Sequence, residues 1–80
     1  MDEATELRHR AGRWRQTAEA TRAELGALRS VGAITWRGVS ADAFRQVLGR
    51  RMAELRELAE REDAVAAMLD RLAAVVEQAA

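Results

Sequence analysis

The sequence contains no cysteine and no proline. Without cysteine the chain can form neither a disulfide nor a thiolate metal site. A single core of this size contributes only about 3–5 kcal/mol, so we expect oligomerisation to stabilise the fold in place of a disulfide. The absence of proline, together with an abundance of alanine, leucine, arginine and glutamate, is typical of long helices.

The chain also lacks net charge, because thirteen basic residues balance thirteen acidic ones. No overall field therefore attracts nucleic acid or an anionic membrane, and we expect no nucleic-acid partner. All thirteen basic residues are arginine, a bias typical of GC-rich genomes such as those of actinobacteria.

Long apolar runs are missing as well. The longest, residues 64–76, is interrupted by Asp70 and Arg71 and is shorter than the roughly 18 residues that span a bilayer. The first ten residues have no apolar region of the kind that a signal peptide contains. We therefore expect no membrane span and no ordinary signal peptide.

The chain does contain two long stretches in which apolar and small residues advance by alternating steps of three and four. This period is typical of a helix with one buried face. Both stretches are interrupted at Ile34–Ser40. Gly32 before this segment and Gly38 within it permit a turn, and Ser40 can cap the next helix. The sequence thus predicts a single all-α domain, an antiparallel helix-turn-helix hairpin with a central turn. Its predicted parts are helix 1 at about 3–32, the turn at about 33–39 and helix 2 at about 40–78, within a domain that covers 1–80.

Large apolar side chains on the repeating faces form the predicted core and pairing surface. They are Leu7, Trp14, Leu25, Leu28, Phe44, Leu48, Leu55, Leu58, Val65, Leu69, Leu72 and Val76. The apolar face of helix 2 is wider than one neighbouring helix covers, which favours a dimeric four-helix bundle. Folding the arms about Trp36 pairs residues whose numbers sum to about 72. This register leaves Leu69, Leu72 and Val76 beyond the end of helix 1, where a second chain would cover them.

Two residues on the repeating face of helix 2, Arg51 and Glu62, are charged. Polar groups in helical seams can fix register and partner choice, which is our hypothesis for this pair. The alternative is that both side chains reach solvent at the edge of the seam. The predicted register places Glu24 near Arg51. It also places Arg8 or Arg15 near Glu62.

No combination of residues predicts catalysis. The only histidine, His9, has no histidine or carboxylate four residues away, and no nucleophile is accompanied by a base and an orienting group. We therefore expect no enzyme activity, no metal and no cofactor. The run Arg8–Arg15 leaves an arginine-rich nucleic-acid-binding hairpin as a less favoured alternative, because Trp14 falls on the repeating face and is interpreted as core.

The central stretch Trp36-Arg37-Gly38 is followed by Ser40–Phe44 and flanked by a patterned helix on each side. In this it resembles the Trp-x-Gly (WXG) family of small type VII secretion proteins, over essentially the whole chain. The resemblance implies a non-enzymatic hairpin that pairs with a second Trp-x-Gly protein, with the helical leader of a larger toxin, or with itself. It also implies folded export through a type VII (ESX-like) system, independent of a signal peptide, from the cytoplasm to the cell envelope or the exterior. Trp36 and Gly38 would then help to form the surface that the secretion machinery recognises.

The sequence departs from that family in one respect. The family's export signal is a tyrosine followed four residues later by Asp or Glu, and this chain has no tyrosine. If the chain is exported, we expect the signal to lie on its partner; otherwise the chain would act as a chaperone in the cytoplasm. The alternative outside the family is a self-associating helical module with no export role, which would share the same fold.

Overall fold

A computed structural model of the chain describes residues 2–34 and 37–80. Across these residues the chain forms two α-helices and no strand, with α1 at Glu3–Gly32 and α2 at Val39–Ala79. The helices pack against each other along their length, which gives a body of 64 × 15 × 11 Å. Neither helix, over its described residues, has an apolar stretch that could cross a membrane. Trp36, the centre of the predicted turn, lies outside the described residues.

The first helix begins and ends with the side chains that helix termini favour. The Asp2 carboxylate accepts a hydrogen bond from the Thr5 backbone N–H at 2.7 Å, which satisfies one of the free donors of the first turn. Acidic residues in the first turn and Arg29 in the last turn suit the helix dipole. At the far end the Ala33 N–H donates to the Arg29 carbonyl.

The second helix begins differently from the prediction. Its N-cap is Gly38, with a φ of 104°, and no side chain makes a capping hydrogen bond, so the prediction that Ser40 caps this helix is wrong. A φ of this value is one that residues with a Cβ rarely adopt. Glycine thus allows the chain to enter α2 directly at Val39, which places Ser40 already inside the helix.

The seam between the helices is built mainly from alanine. On α1 the buried residues Ala4, Ala11, Ala18 and Leu25 follow one another at intervals of seven. On α2 the buried apolar residues are Ala41, Leu48, Leu55, Ala59, Ala66 and Ala73. Leu55, which is 1% exposed, is the largest fully buried side chain among residues 2–34 and 37–80. Rows of such small side chains allow two helices to approach closely.

The register of the hairpin corrects the prediction. The hydrogen-bonded pairs along the open half of the hairpin join residues whose numbers sum to 83 or 85 rather than 72. These pairs are Arg8 with Glu77, Arg15 with Asp70, Thr21 with Glu62 and Arg22 with Asp63. This register brings Ala11 level with Ala73 and Ala18 level with Ala66. The matched alanine rows explain why packing favours it over the symmetric fold about Trp36.

Two consequences follow for the ends of the hairpin. The predicted overhang past Leu69 is wrong, because Val76 and Glu77 line a common groove with Asp2 and Glu3 at the start of α1. The extra length of α2 lies at the turn end instead. There Leu48 packs so close to Gly32 that a Cβ added to Gly32 would lie 3.1 Å from Leu48 Cδ2. Glycine therefore permits the tight contact at the end of α1.

Candidate interaction surfaces

The buried alanine row of α1 separates two sides of the hairpin. Leu7 and Arg8 are successive residues, about 100° apart around the helix axis, and they fall on either side of that row. Leu7 lines a groove together with Leu72 and Val76, whereas Arg8 bonds to Glu77. One side is therefore apolar and the other is charged. We call Leu7, Trp14, Leu58, Val65, Leu72 and Val76 the apolar flank, and Arg8, Arg15, Arg22, Asp63, Asp70 and Glu77 the charged flank.

The charged flank is a ladder of three arginine–carboxylate pairs. Arg8 pairs with Glu77, and the next two rungs follow at intervals of seven residues along both helices, as Arg15 with Asp70 and Arg22 with Asp63. The hydrogen bond from Arg8 lowers the pKa of Glu77 below its ordinary value. In the same way, the hydrogen bond with Asp63 raises the pKa of Arg22. This flank therefore satisfies its charges within the chain.

The apolar flank has no such internal partner. Trp14 is 40% exposed, Leu58 38% and Leu72 47%, although their heptad positions match those of Leu7 and Val65. At the open end of the hairpin this flank forms a groove of about 490 Å³. The groove is lined by Asp2, Glu3, Glu6, Leu7, Arg10, Leu72 and Val76. An apolar strip with a charged rim is the arrangement that marks interaction surfaces on otherwise polar proteins.

The twelve predicted core and pairing residues fall into three groups within the hairpin. The buried ones are Leu25, Leu48 and Leu55. The half-buried ones are Leu7, Leu28, Phe44, Val65, Leu69 and Val76. The exposed ones are Trp14, Leu58 and Leu72. The predicted set contained only large apolar side chains. The seam is filled mainly by alanines on the same repeating faces, such as Ala4, Ala11 and Ala18.

The two charged residues of the predicted seam have different environments. Glu62 is 6% exposed and accepts a hydrogen bond from the Thr21 hydroxyl at 2.6 Å. Its predicted proximity to Arg8 or Arg15 is wrong, because the shifted register directs those arginines to Glu77 and Asp70. Arg51 is exposed and lies 3.4 Å from Glu24, close to it as the sequence predicts. Glu62 therefore acts inside the seam, whereas Arg51 acts at its edge.

Of the two predicted turn residues, Trp36 and Gly38, the structure describes only Gly38. Gly38 has the positive φ that begins α2, whereas Trp36 falls outside the described residues. Gly38 thus has a conformational role that a residue with a side chain would fulfil only under strain.

Metal-binding geometry is not found in the described part of the chain. Over residues 2–34 and 37–80, no group of three or more His, Asp or Glu side chains is placed to hold a metal ion. His9 is exposed on α1.

Comparisons with protein-family models, with curated proteins and with solved structures give no match. The evidence on function therefore lies in the two flanks and in the central motif.

Proposed function

We propose that this chain is a non-enzymatic pairing protein whose apolar flank packs against a second helical hairpin to form a four-helix bundle. The observation that carries the proposal is the placement of the large apolar side chains. The seam within the hairpin is filled mainly by alanine, while Trp14, Leu58 and Leu72 remain substantially exposed on one flank. Full burial of a side chain such as leucine contributes about 1.5–3 kcal/mol, so a second hairpin on this flank would stabilise the chain substantially.

We further propose that the paired protein is a substrate of type VII secretion, or the co-secreted partner or chaperone of one. The resemblance of Trp36-Arg37-Gly38 and its flanking helices to the Trp-x-Gly family supports this. The positive φ of Gly38 adds a physical reason for glycine at the last position of the motif. Because the chain has no tyrosine, its partner would supply the Tyr-x-x-x-Asp/Glu export signal.

Export is tested by producing the chain with the product of its neighbouring gene in a bacterium that has a type VII system. We expect the chain in the culture filtrate only when both the neighbour and the secretion ATPase are present. Trp36→Ala should abolish export, whereas Val39→Ala, at an adjacent residue that is 87% exposed, should not. Retention of the wild-type chain in cells that contain both factors would contradict the export proposal but not the pairing proposal.

A second candidate function, nucleic-acid binding, is favoured by one observation. Trp14 is partly exposed and shares a shallow groove with Arg10 and Arg13, an arrangement that can contact phosphate and stack on a base. However, Glu6 lies 3.3 Å from Arg10 and 3.9 Å from Arg13, which reduces the local positive charge. Binding to single-stranded DNA that weakens steeply with salt would support this function, and no binding at low salt would exclude it.

A further inference from the structure

The ladder of arginine–carboxylate pairs on the charged flank does not continue at the next position toward the turn. Its rungs at Arg8, Arg15 and Arg22 each pair with a carboxylate on α2. Seven residues after Arg22 the sequence continues with Arg29, but the corresponding residue of α2 is Arg56 rather than an acid. The fourth rung therefore brings two arginines to one place.

These two arginines border a small notch between the helices. The notch has a volume of about 210 Å³, and its lining residues are Arg22, Leu25, Arg29, Arg56, Ala59 and Glu60. Leu25 and Ala59 are buried, so they form an apolar floor beneath exposed guanidinium groups. An ion pair formed over such a floor is less screened by water than one on an open surface.

Within residues 2–34 and 37–80, neither Arg29 nor Arg56 forms an ion pair. The third arginine of the notch, Arg22, is already bonded to Asp63. Glu60 contributes one negative charge at the rim, which leaves two unpaired cations against one anion. The notch thus retains a positive charge, in contrast to the three closed rungs beside it.

We propose that this notch receives an aspartate or glutamate side chain from a helix of a partner protein, which completes the fourth rung. The three closed rungs show that arginines at intervals of seven on α1 pair with carboxylates that another helix presents at the same interval. A guanidinium fork binds a carboxylate through two parallel hydrogen bonds. The rungs beside the notch are already paired with carboxylates, so this side of the hairpin lacks the continuous row of free cations that a chain of phosphates requires. This favours an acidic helix over nucleic acid.

This surface is distinct from the one used in hairpin pairing. The notch lies on the side of the charged flank, whereas Leu7, Trp14 and Leu72 lie on the opposite side of the alanine row. Binding of a carboxylate at the notch does not depend on export or on bundle formation, so this proposal can fail while those two hold, and the reverse.

The test uses a substitution that provides the missing carboxylate within the chain. Arg56→Glu should pair with Arg29, close the fourth rung and raise Tm by about 2 °C. The binding probe is a capped helical peptide with glutamate at every seventh position, titrated against the labelled full chain by amide NMR at physiological salt. We expect shifts around Arg29 and Arg56 in the wild type and at least tenfold weaker binding by Arg56→Glu.

The matched control is Arg61→Glu, which changes the net charge equally at an exposed residue outside the notch. It should bind the peptide within about twofold of the wild type. Equal weakening by both variants would overturn the proposal, because net charge rather than the notch would then account for binding. Absence of binding to the wild type at millimolar peptide, equal binding of a glutamine version of the peptide, or tighter binding of a single-stranded oligonucleotide would each overturn it too.

Discussion

The two flanks of the hairpin use their side chains in opposite ways. On the charged flank, three arginines on α1 meet three carboxylates on α2. On the apolar flank, Trp14, Leu58 and Leu72 remain 38–47% exposed. Exposed ion pairs contribute little to stability, whereas burial of apolar area contributes much. The charged flank, whose pairs form within the hairpin, therefore contributes less to stability than the apolar flank would contribute if a partner buried it.

The contrast also explains how a marginal hairpin can have one defined register. The alanine rows allow close approach of the helices, but alanine buries little apolar area per residue. The ladder reinforces the register that the matched alanine rows favour, because sliding one helix by a full turn, about 5.4 Å, would separate all three pairs. We interpret the charged flank as the source of alignment within the hairpin and the apolar flank as the source of association between hairpins.

The largest expected effect is the difference in stability lost when a leucine is truncated in the seam and when one is truncated on the apolar flank. Leu55→Ala should reduce the free energy of unfolding by about 3 kcal/mol, because Leu55 is only 1% exposed and its truncation leaves a cavity in the seam. Leu58→Ala makes the same chemical change three residues away on the exposed flank. For the isolated hairpin, it should cost less than about 1 kcal/mol by urea denaturation. Equal losses would contradict the distinction between seam and flank.

The second prediction tests close packing of the alanine rows. Ala66→Leu should destabilise the hairpin by about 2 kcal/mol, because Ala66 is fully buried opposite the alanine row of α1 and a larger side chain forces the helices apart. Ala64→Leu, on the exposed face of the same helix, should be close to neutral. Thermal unfolding monitored by circular dichroism compares the two variants. A stabilising Ala66→Leu would mean that the seam has room to spare.

The third prediction concerns the one carboxylate inside the seam. Thr21→Val keeps the shape of the side chain but removes the hydroxyl that donates to Glu62 at 2.6 Å. The buried carboxylate loses a donor, so the free energy of unfolding should fall by about 1–2 kcal/mol. Thr17→Val removes an exposed hydroxyl that donates to the Arg13 carbonyl and should have little effect. If both variants unfold at the same urea concentration, the Thr21–Glu62 contact contributes nothing specific.

The smallest expected effect is the pH dependence of the helix ends at the open end of the hairpin. Hydrogen bonds from the Thr5 side chain and backbone lower the pKa of Asp2 below its ordinary 3.8, and the hydrogen bond from Arg8 lowers that of Glu77 below 4.5. The stabilisation is therefore fully present above those ordinary values and is lost as pH falls through the lower pKa values of the folded protein.

Thermal unfolding between about pH 5 and pH 2 measures this effect. Tm should decrease as the solution is acidified, and Glu77→Gln should make the decrease shallower. Glu19→Gln, at an exposed carboxylate outside the charged flank, should leave the slope of the wild type unchanged. An identical slope in Glu77→Gln and the wild type would show that the outermost rung makes no contribution.

Much of the two-helix architecture could be predicted from the sequence, but its register could not. The steps of three and four and the interruption around Gly32 and Gly38 indicate two helices that pack together. A periodic pattern fits several registers, however, since sliding one helix by about three turns returns the same face to its neighbour. The choice depends on pairs such as Arg8 with Glu77 and on the fit of Ala18 against α2, which no single helix reveals.

The partition between seam and flank was equally hard to predict. Hydrophobicity ranks leucine and tryptophan above alanine as core residues, yet Ala11 and Ala18 are fully buried and Trp14 is not. Close approach of two helices favours the small side chain, and a periodic pattern alone does not separate the side facing the first neighbour from the side facing the second. The N-cap of α2 was mispredicted for a local reason, because the positive φ of Gly38 replaced the expected Ser40 cap.

The account's central claim is that the apolar flank is a pairing surface. The most direct test is the molar mass by light scattering of the purified 8.9 kDa chain, alone and mixed with the product of its neighbouring gene, with Leu72→Glu measured in parallel. We predict an assembly of two hairpins for the wild type in at least one of the two samples. For Leu72→Glu we predict a single 8.9 kDa chain of unchanged helicity. A wild type that remains a stable, helical monomer in both samples, or a Leu72→Glu variant that assembles as the wild type does, would contradict the claim.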